Sequence, residues 1–448
     1  MTTTMPTAAQ ALASFASRLA YAEIPPAVAA RAKDCITDTV AAATFGAQFP
    51  WSRMIVDYAR RYGSGGACTI LGVPDARVHA PYAALANGAL AHAYELDSVG
   101  LAPHPGSALL PAVLAACEEV NADGKTAIAA FVAGCEMISR INAASHHSSE
   151  KLGFHAPGII APYGAAAAAG RVFGLDAEQM AHALGIAGSL SSGLLAFTKS
   201  SGGSMVKRLH LGRASESGIL AARLAGAGYT GTETVLEGKF GFLETYCRDG
   251  EPGLLTAGLG AKWETLGISL KRYACHIFAQ IPVQSMRELM AQHAFGGGDV
   301  ASILVEGGEK LLSHHNIIDP ADIMKAQYSV PFCAALALFR DPDDPRSFNP
   351  GALEDPAIRA ACRKVELRAR SQKGLTAWSA RIVVKLKDGR EVALDRNSYK
   401  GMPDDPLSQA ELRRKFMLLT AGGENAAAGR FFERLQCLES EATFPGLT

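Results

Sequence analysis

The 448-residue chain lacks the features that mark several large classes of protein. Its 43 basic and 43 acidic residues leave no net charge, whereas a nucleic-acid-binding protein shows a basic excess or stripe. The nine cysteines are scattered singly and form no CxxC pair, which argues against a disulfide framework or a zinc site. No HExxH motif or GxGxxG nucleotide loop is found. We therefore expect a cytoplasmic protein with reduced thiols, no metal and no nucleic-acid partner.

Signals for secretion or membrane insertion are also scarce. The first 23 residues contain neither a basic n-region nor a sustained apolar h-region, so no secretory signal is predicted. Two uncharged windows, residues 152–170 and 179–198, are nearly long enough to span a bilayer. Both are interrupted by Gly, Pro, Ser and His, and most of their apolar residues are alanine. We interpret them as helices buried inside a helical domain and expect no membrane partner.

The first half of the chain has the apolar periodicity of helices. Pro25 and Pro26 open one such segment and Gly46 closes it, which is the usual asymmetry of helix ends. Ala-rich helical patterns continue to about residue 268, and strand-like alternation is scarce there. Small residues let helices approach closely, so we expect a compact all-helical domain. The length of the chain favours a second domain.

The pattern changes after Gly267. Residues 301–308, 364–370 and 380–394 are rich in β-branched residues and alternate in the strand manner, and Asp388-Gly389 predicts a hairpin turn. A helical pattern returns near residue 408, and this C-terminal segment is expected to pack on the first domain. We predict a mainly α protein with two domains. Residues 1–268 and 400–448 form the large all-helical domain, and residues 269–399 form a smaller α+β domain.

Residues 87–111 concentrate proton-transferring side chains in a chain that is poor in charge. A helical pattern of small residues ends in His92, Glu95 and Asp97, and His104 follows between two prolines. Carboxylate and imidazole groups move protons near neutral pH when burial and neighbouring charges tune them. This stretch is the first candidate for a catalytic centre.

Two further segments carry cations. Residues 204–214 precede a helix whose N-terminal amides favour an anion. This basic segment is interpreted either as an anion-binding cradle or as a solvated basic face. The Ser/Gly-rich loop before them favours the cradle. Residues 270–278 lie at the predicted domain junction, where ligand clefts are common, although a surface strand is the alternative. The polar side chains of the two segments are Lys207, Arg208, His210 and Arg213, then Lys271, Arg272, Tyr273, Cys275 and His276.

The remaining histidines divide by context. His155 stands at the head of the buried window 152–170, from which it can reach a cleft. His182 falls on an apolar face and is interpreted as a core residue. His314 and His315 follow one another in a polar segment and are expected to be solvated.

Five segments, taken in order, resemble the MmgE/PrpD family, which includes 2-methylcitrate dehydratases, cis-aconitate decarboxylases and iminodisuccinate epimerases. They extend from about residue 87 to residue 416 and therefore cover most of the chain. Each motif alone is weak, but five in the family's order are specific. The segments are NGALAHAYELD with HPGSALLPA, GFHAPG, MVKRLHLGRASESGILAARLA, LKRYACH and KGMPDDPLSQAELRRKF.

The resemblance implies a fold and a site. The fold is a large helical domain, built from the N-terminal part and the C-terminal tail, with a smaller α+β lid. The family is typically homodimeric, uses no metal or organic cofactor, and acts on small di- and tricarboxylic acids in the interdomain cleft. The implied catalytic residues are Asp97, His104, His155, Lys207 and Lys271.

Two departures from the family pattern bear on the reaction. After the aspartate that matches Asp97, the family carries further acidic residues and a hydroxyl, whereas this chain has residues 98–101, SVGL. A tyrosine of decarboxylase members corresponds to Phe332. We therefore expect a 2-methylcitrate dehydratase-like hydro-lyase. The alternatives are an epimerase of the iminodisuccinate type, a cis-aconitate decarboxylase, and an inactive paralogue that only binds polycarboxylates.

Roles follow from the chemistry of a polycarboxylate. Lys207 and Lys271 come from different predicted domains, so closure is expected to clamp the substrate and exclude water. Removing a proton next to a carboxylate requires a base and stabilisation of the negative charge. We assign Asp97 or His155 as the base and His104 as the acid. The expected substrate-binding set is Lys207, Arg208, His210, Lys271, Arg272 and His276.

Overall fold

The computed structural model describes residues 5–371, 373 and 375–444 of the chain. Within these residues the fold is mainly helical, with two small sheets, so the predicted fold class is confirmed. The helices up to residue 226 are α1 (Ala8–Arg18), α2 (Pro26–Gly46), α3 (Pro50–Tyr62), α4 (Ala80–Ala91), α5 (Pro105–Val120), α6 (Gly124–Ala144), α7 (Ser148–Lys151), α8 (Ala156–Val172), α9 (Ala177–Ser189) and α10 (Val206–Gly226).

Shorter helices and the strands follow the same chain order. The later helices are α11 (Phe242–Tyr246), α12 (Ile277–His293), α13 (Glu309–His315), α14 (Ile323–Ala326), α15 (Val330–Phe339), α16 (Pro350–Glu354), α17 (Pro356–Cys362), α18 (Gln409–Ala421) and α19 (Ala426–Gln436). The strands are β1 (Ser64–Ile70), β2 (Val73–Val78), β3 (Val300–Gly307), β4 (Val365–Ala369), β5 (Ala380–Leu386) and β6 (Glu391–Arg396).

The second half of the chain contains a four-stranded sheet in the order β4-β3-β5-β6. Strands β3 and β4 are parallel, and the other pairs are antiparallel. The turn between β5 and β6 holds Gly389 at a φ of 92°, which glycine adopts at low cost. The hairpin predicted from Asp388-Gly389 is therefore confirmed. Helices α12 and α15 pack on one another and against strands of this sheet.

Helix α10 runs through the centre of the helical part and packs on α4 and α8. Glycines make this packing close, because a Cβ atom built at Gly212 would lie 2.3 Å from the carbonyl oxygen of Leu85. At Gly218 it would lie 2.4 Å from the Cβ atom of Ala165. The near contact of backbones brings the start of α10 beside the end of α4, and the site is built there.

The N-terminal part differs from the expected all-helical domain by one hairpin, β1–β2. Strand β1 begins with Ser64-Gly65-Gly66. The two strands contain too few buried residues for the sequence to show an alternation of apolar and polar positions. In the C-terminal segment, α18 packs on α2, where the Lys415 ammonium donates to Asp38 at 2.6 Å. The boundaries of the two predicted domains stay a prediction.

Among the described residues, α6 is the one helix whose length and apolar composition would suffice to cross a membrane. Of its most apolar window, 94% is buried inside the protein, and buried core helices meet the same criterion. The two windows singled out in the sequence overlap α8 and α9, most of whose residues are also buried.

Candidate active site

A cavity of about 740 Å³ lies between the helical part and the sheet-bearing part of the chain. Side chains of both parts line it, and most of the polar ones are basic or imidazole groups. Its catalytic candidates from the helical part are His104, His155, Lys207 and Arg208. The sheet-bearing part contributes His276 and Tyr328.

Asp97 is fully buried behind the cavity wall and holds two imidazoles. One of its carboxylate oxygens lies 2.8 Å from Nδ1 of His92 and 2.7 Å from Nδ1 of His104, and the Ser107 hydroxyl donates to the same oxygen. Burial by itself would raise the pKa of Asp97, but the neighbouring His92, His104 and Lys271 hold it well below its ordinary value. An ionised carboxylate only accepts hydrogen bonds, so both imidazoles donate through Nδ1. His104 therefore keeps Nε2 for proton transfer.

Local backbone geometry places His104 at the cavity. Its φ of 54° lies in the left-handed region, and Pro105 follows at the first position of α5. Glu95 is left-handed as well, with a φ of 56°. Such conformations are uncommon for residues with a Cβ atom and occur where the surrounding structure imposes them. The Ser98 hydroxyl accepts from the Gly106 amide at 3.0 Å and ties the two ends of this loop together.

A buried carboxylate joins the two predicted lysines. Both Lys207 and Lys271 donate to Glu95, and the Lys271 bond measures 3.1 Å. Lys271 also lies 3.8 Å from Asp97. Burial alone would raise the pKa of Glu95, but the two ammonium groups hold it well below the ordinary value. The two lysines converge on Glu95, but only Lys207 lines the cavity and Lys271 stands behind the wall. The predicted clamp of the substrate between both lysines is therefore not what this geometry provides.

His155 and His210 form a second imidazole pair, with 2.9 Å between their Nδ1 atoms. Burial, together with the nearby Lys207 and His210, lowers the pKa of His155 well below its ordinary value. His155 is therefore neutral at pH 7. A neutral imidazole at the cavity wall is able to accept a proton.

The opposite wall stacks aromatic rings on imidazoles. The His276 ring lies 4.1 Å from the His315 ring and 4.8 Å from the Tyr328 ring. The Lys207 ammonium lies 4.9 Å from the centre of the Tyr328 ring. Burial lowers the pKa of His315 to about 4. The expectation that His315 is solvated is wrong, because α13 turns this side chain inward, where Nδ1 lies 3.0 Å from the Tyr328 carbonyl.

The predicted site residues fall into three groups. Those that reach the cavity are His104, His155, Lys207, Arg208 and His276. Asp97 and His210 stand behind it and contact the lining residues His104 and His155. Lys271 lies one step further back, because its partner Glu95 is itself behind the wall. Arg272 is placed elsewhere, because its guanidinium forms two bonds to Asp343, of 2.6 Å and 2.7 Å.

Several residues of the site were not predicted from the sequence. Glu95 and His92 belong to the first candidate stretch. No local pattern shows that Glu95 pairs with Lys207 or that His92 pairs with Asp97. Tyr328 lies in the turn between α14 and α15 and lines the cavity, whereas Phe332, four residues later in α15, is 1% exposed in the core. A phenol is therefore present at the site although position 332 holds none.

The donor atoms of His92, Asp97 and His104 are the one group among the described residues that is compact enough to be considered for a metal ion. Their nitrogen–oxygen separations are 2.8 Å and 2.7 Å. Tetrahedral zinc with bonds of about 2.0–2.1 Å would separate its ligands by roughly 3.3 Å. The spacing fits hydrogen bonds around one carboxylate, and we build no metal chemistry on it.

Comparison with known proteins agrees with this architecture. Residues 10–255 match the MmgE/PrpD N-terminal domain and residues 273–439 match the MmgE/PrpD C-terminal domain. Cis-aconitate decarboxylase of Aspergillus terreus is 30% identical over 440 residues, which are 90% of this chain and 87% of the relative. The human cis-aconitate decarboxylase is 28% identical over 86% of this chain and 82% of its own.

A third relative is the cis-aconitate decarboxylase-like protein oryM of Aspergillus oryzae, at 27% identity over 96% of this chain and 92% of its own. All three relatives bear the names of decarboxylases, which are lyases, and the prediction of a lyase-type enzyme is confirmed. Because the two domain models together cover most of its length and the relatives span nearly all of it, the chain belongs to the MmgE/PrpD family.

Proposed function

We propose that this enzyme decarboxylates cis-aconitate or a closely related unsaturated tricarboxylate. The observation that carries the proposal is a buried cationic end of the cavity next to an imidazole that Asp97 orients. Lys207 and Arg208 are each 3% exposed, and both line the cavity. Among the described residues, the Nη2 atom of Arg208 has no hydrogen-bond partner. Buried donors are normally satisfied, so a substrate carboxylate is the natural acceptor for this one.

The reaction needs an acid more than a base. As CO2 leaves the methylene carbon, the electrons of the broken bond form a double bond to the central carbon. The electrons of the original double bond then take up a proton at the vinyl carbon. One bond to carbon is lost and one C–H bond is made, so the enzyme supplies one proton per turnover. Solvent restores that proton after product release.

His104 is the group we assign to this proton transfer. It lines the cavity, and Asp97 holds it through Nδ1 at 2.7 Å, so that Nε2 faces the reaction. Such a carboxylate–imidazole pair fixes the orientation of the ring and stabilises its protonated form. Asp97 is fully buried and acts through His104 without touching the substrate. This arrangement replaces the assignment of Asp97 as a base.

The cations hold the remaining carboxylates. Lys207 and Arg208 bind charge at one end of the cavity, and Glu95 with Lys271 keeps Lys207 in place from behind. Charge spreads over the substrate as its carbon–carbon bond breaks, and fixed cations in a water-poor site stabilise that charge.

Dehydration of a 2-methylcitrate-like substrate is the second candidate. The unprotonated, buried His155 favours it, because elimination of water requires a base that removes the proton from the carbon beside the one that bears the leaving hydroxyl. An acid, here His104, then protonates that hydroxyl as it leaves. The decarboxylation proposal has two supports that dehydration lacks, the phenol of Tyr328 in the cavity and the names of the relatives. Epimerisation has no specific observation in its favour.

One experiment separates these reactions. The purified enzyme is incubated in D2O with cis-aconitate, 2-methylcitrate, citrate or iminodisuccinate, and proton NMR and released CO2 are followed together. Decarboxylation of cis-aconitate yields itaconate with one deuteron on the former vinyl carbon. Loss of water from 2-methylcitrate, with cis-aconitate left intact, would refute the proposal. The His104→Asn variant is the control for background decarboxylation.

A homodimeric, cytoplasmic enzyme completes the proposal. Helix α3 exposes Met54, Tyr58 and Tyr62, which are spaced one helical turn apart and are 61%, 49% and 56% exposed. Such a row of apolar side chains suits a contact with a second copy. All nine cysteines, each within the described ranges, are free thiols, which suits a reducing compartment. Light scattering of the wild type and of Tyr58→Lys tests the dimer.

A further inference from the structure

The cavity exceeds what a small tricarboxylate requires. Pockets of about 300–1,000 Å³ accommodate drug-sized ligands, whereas cis-aconitate has only about a dozen non-hydrogen atoms. The volume here is about 740 Å³. Beyond Lys207 and Arg208 the lining has a basic part, with Lys151, Lys199, Lys310 and Lys325, and an apolar part. The apolar part is the one that a tricarboxylate alone would leave unused.

Four apolar side chains form one wall of the cavity, which we name the apolar corner: Val99, Ile277, Phe278 and Trp378. Val99 and Ile277 are buried in a small hydrophobic cluster, and the half-buried Phe278 and Trp378 pack against it. Each aromatic ring is therefore supported on one side and borders the cavity on the other. None of the four side chains offers a charge to a carboxylate.

The apolar corner adjoins the catalytic end. The Phe278 ring is stacked with the His276 ring at 5.7 Å, and His276 is in turn 4.8 Å from Tyr328. Tyr328 is the residue over which the Lys207 ammonium lies. A molecule anchored by its carboxylates at Lys207 can thus extend an uncharged arm toward Phe278.

Val99 is held firmly in this wall. Its amide donates to the Ser269 carbonyl at 2.9 Å, and the Ser269 amide donates back at 2.7 Å. Val99 lies in residues 98–101, the segment in which the sequence departs from the acidic and hydroxyl-bearing family pattern. Val99 thus supplies an apolar side chain to the wall from a segment where the family pattern has acidic and hydroxyl groups.

We propose that the natural substrate is a tricarboxylate that bears a linear alkyl chain of several carbons, and that the apolar corner binds this chain. The inference rests on the proposed decarboxylation and specifies its substrate class. Burying one methylene group contributes enough free energy to raise kcat/KM about fourfold. A three-carbon chain is therefore expected to raise kcat/KM about 60-fold over that of cis-aconitate.

The test is a substrate series assayed with the full-length enzyme. Cis-aconitate is compared with homologues that carry methyl, propyl or hexyl groups on the methylene carbon or on the vinyl carbon. The measured quantity is kcat/KM for CO2 release. A rise with chain length in either series supports the inference. The highest value for unsubstituted cis-aconitate would overturn the inference and leave the proposed function intact, whereas no CO2 from any member would overturn both.

Variants locate the effect. Trp378→Ala is expected to lower the ratio of kcat/KM between the propyl substrate and cis-aconitate by about tenfold or more. Trp378→Phe, which keeps an aromatic ring, preserves most of that ratio and covers the case in which the alanine variant fails to fold. Tyr229→Ala, which removes an exposed aromatic ring away from the cavity, is the matched control. An unchanged ratio in folded Trp378→Ala would show that the chain does not bind in the apolar corner.

Discussion

Replacing Glu95 by glutamine tests the centre of the site most directly. The Glu95 carboxylate is the shared counterion of Lys207 and Lys271, and all three side chains are at most 3% exposed. The amide is nearly isosteric, so the change removes one negative charge and leaves the packing in place. Two buried ammonium groups then remain, with Asp97 at 3.8 Å from Lys271 as the nearest compensation.

The cost follows from the burial of these charges. Removing one partner of a buried ion pair costs about 3–5 kcal/mol, because the remaining charge is left uncompensated. We expect the free energy of unfolding of Glu95→Gln to fall by about that amount at pH 7. Glu119→Gln is the matched control, since its partner Arg223 is 45% exposed and the pair is solvated. For such surface pairs the expected loss is below about 1 kcal/mol.

The pH dependence has a definite sign. Because the folded pKa of Glu95 lies below its ordinary value of 4.5, its stabilisation is complete above that value and is lost as the pH falls through the folded pKa. Burial lowers the pKa of Lys207 and Glu95 raises it. Without the carboxylate, Lys207 loses its proton at a lower pH. The alkaline limb of kcat/KM should then shift toward neutrality.

Urea unfolding followed by circular dichroism gives the stability change, and a pH profile of kcat/KM gives the shift. Glu95→Asp keeps the charge on a shorter side chain and serves if the glutamine variant does not fold; it should recover the alkaline limb in part. If the free energy of unfolding of Glu95→Gln lies within about 1 kcal/mol of the wild-type value and the pH profile is unchanged, Glu95 does not hold the lysine pair.

Three further substitutions address the acid, its orienting carboxylate and the helix contact. His104→Asn should lower kcat by about 10²–10⁴-fold with the substrate still bound, because the proton donor is lost; the exposed His79→Asn should leave kcat unchanged, and equal kcat values for the two variants would contradict the assignment. Asp97→Asn should lower kcat by a comparable factor with KM little changed, since the amide no longer fixes the tautomer and orientation of His104. A lower stability with an unchanged kcat would indicate a purely structural role. Gly212→Ala should destabilise the protein by about 1–3 kcal/mol in thermal unfolding, because its Cβ atom meets the Leu85 carbonyl. A stability equal to that of the wild type would show that α4 and α10 can move apart without cost.

Local sequence patterns predicted those parts of the fold that local forces decide. The hairpin at Asp388-Gly389 and the helix from Pro26 to Gly46 depend on turn and helix-end residues within a few positions. The hairpin β1–β2 escaped prediction because its stability comes from contacts with α5, among them the bonds from Thr69 to Glu118. No periodicity within residues 64–78 records those contacts.

The site, like the fold, has parts that local sequence predicted and parts that depend on distant residues. The residue types of 87–111 and 204–214 indicated the two stretches, and the family resemblance then singled out Asp97, His104 and Lys207 within them. The role of Glu95 was not predictable, because its partners lie 112 and 176 positions away in the chain. His315 illustrates the opposite error. A polar neighbourhood in sequence says little about burial when a short helix turns one side chain inward.

The close contact between α4 and α10 makes the site depend on residues that take no part in the chemistry. A Cβ atom at Gly88 would lie 2.8 Å from the Cα atom of Gly212, so neither glycine can accept even the smallest side chain without moving a helix. The loop that carries Glu95 follows α4, and Lys207 lies in the first turn of α10. Substitutions of these glycines are therefore expected to abolish activity as readily as substitutions of residues that contact the substrate.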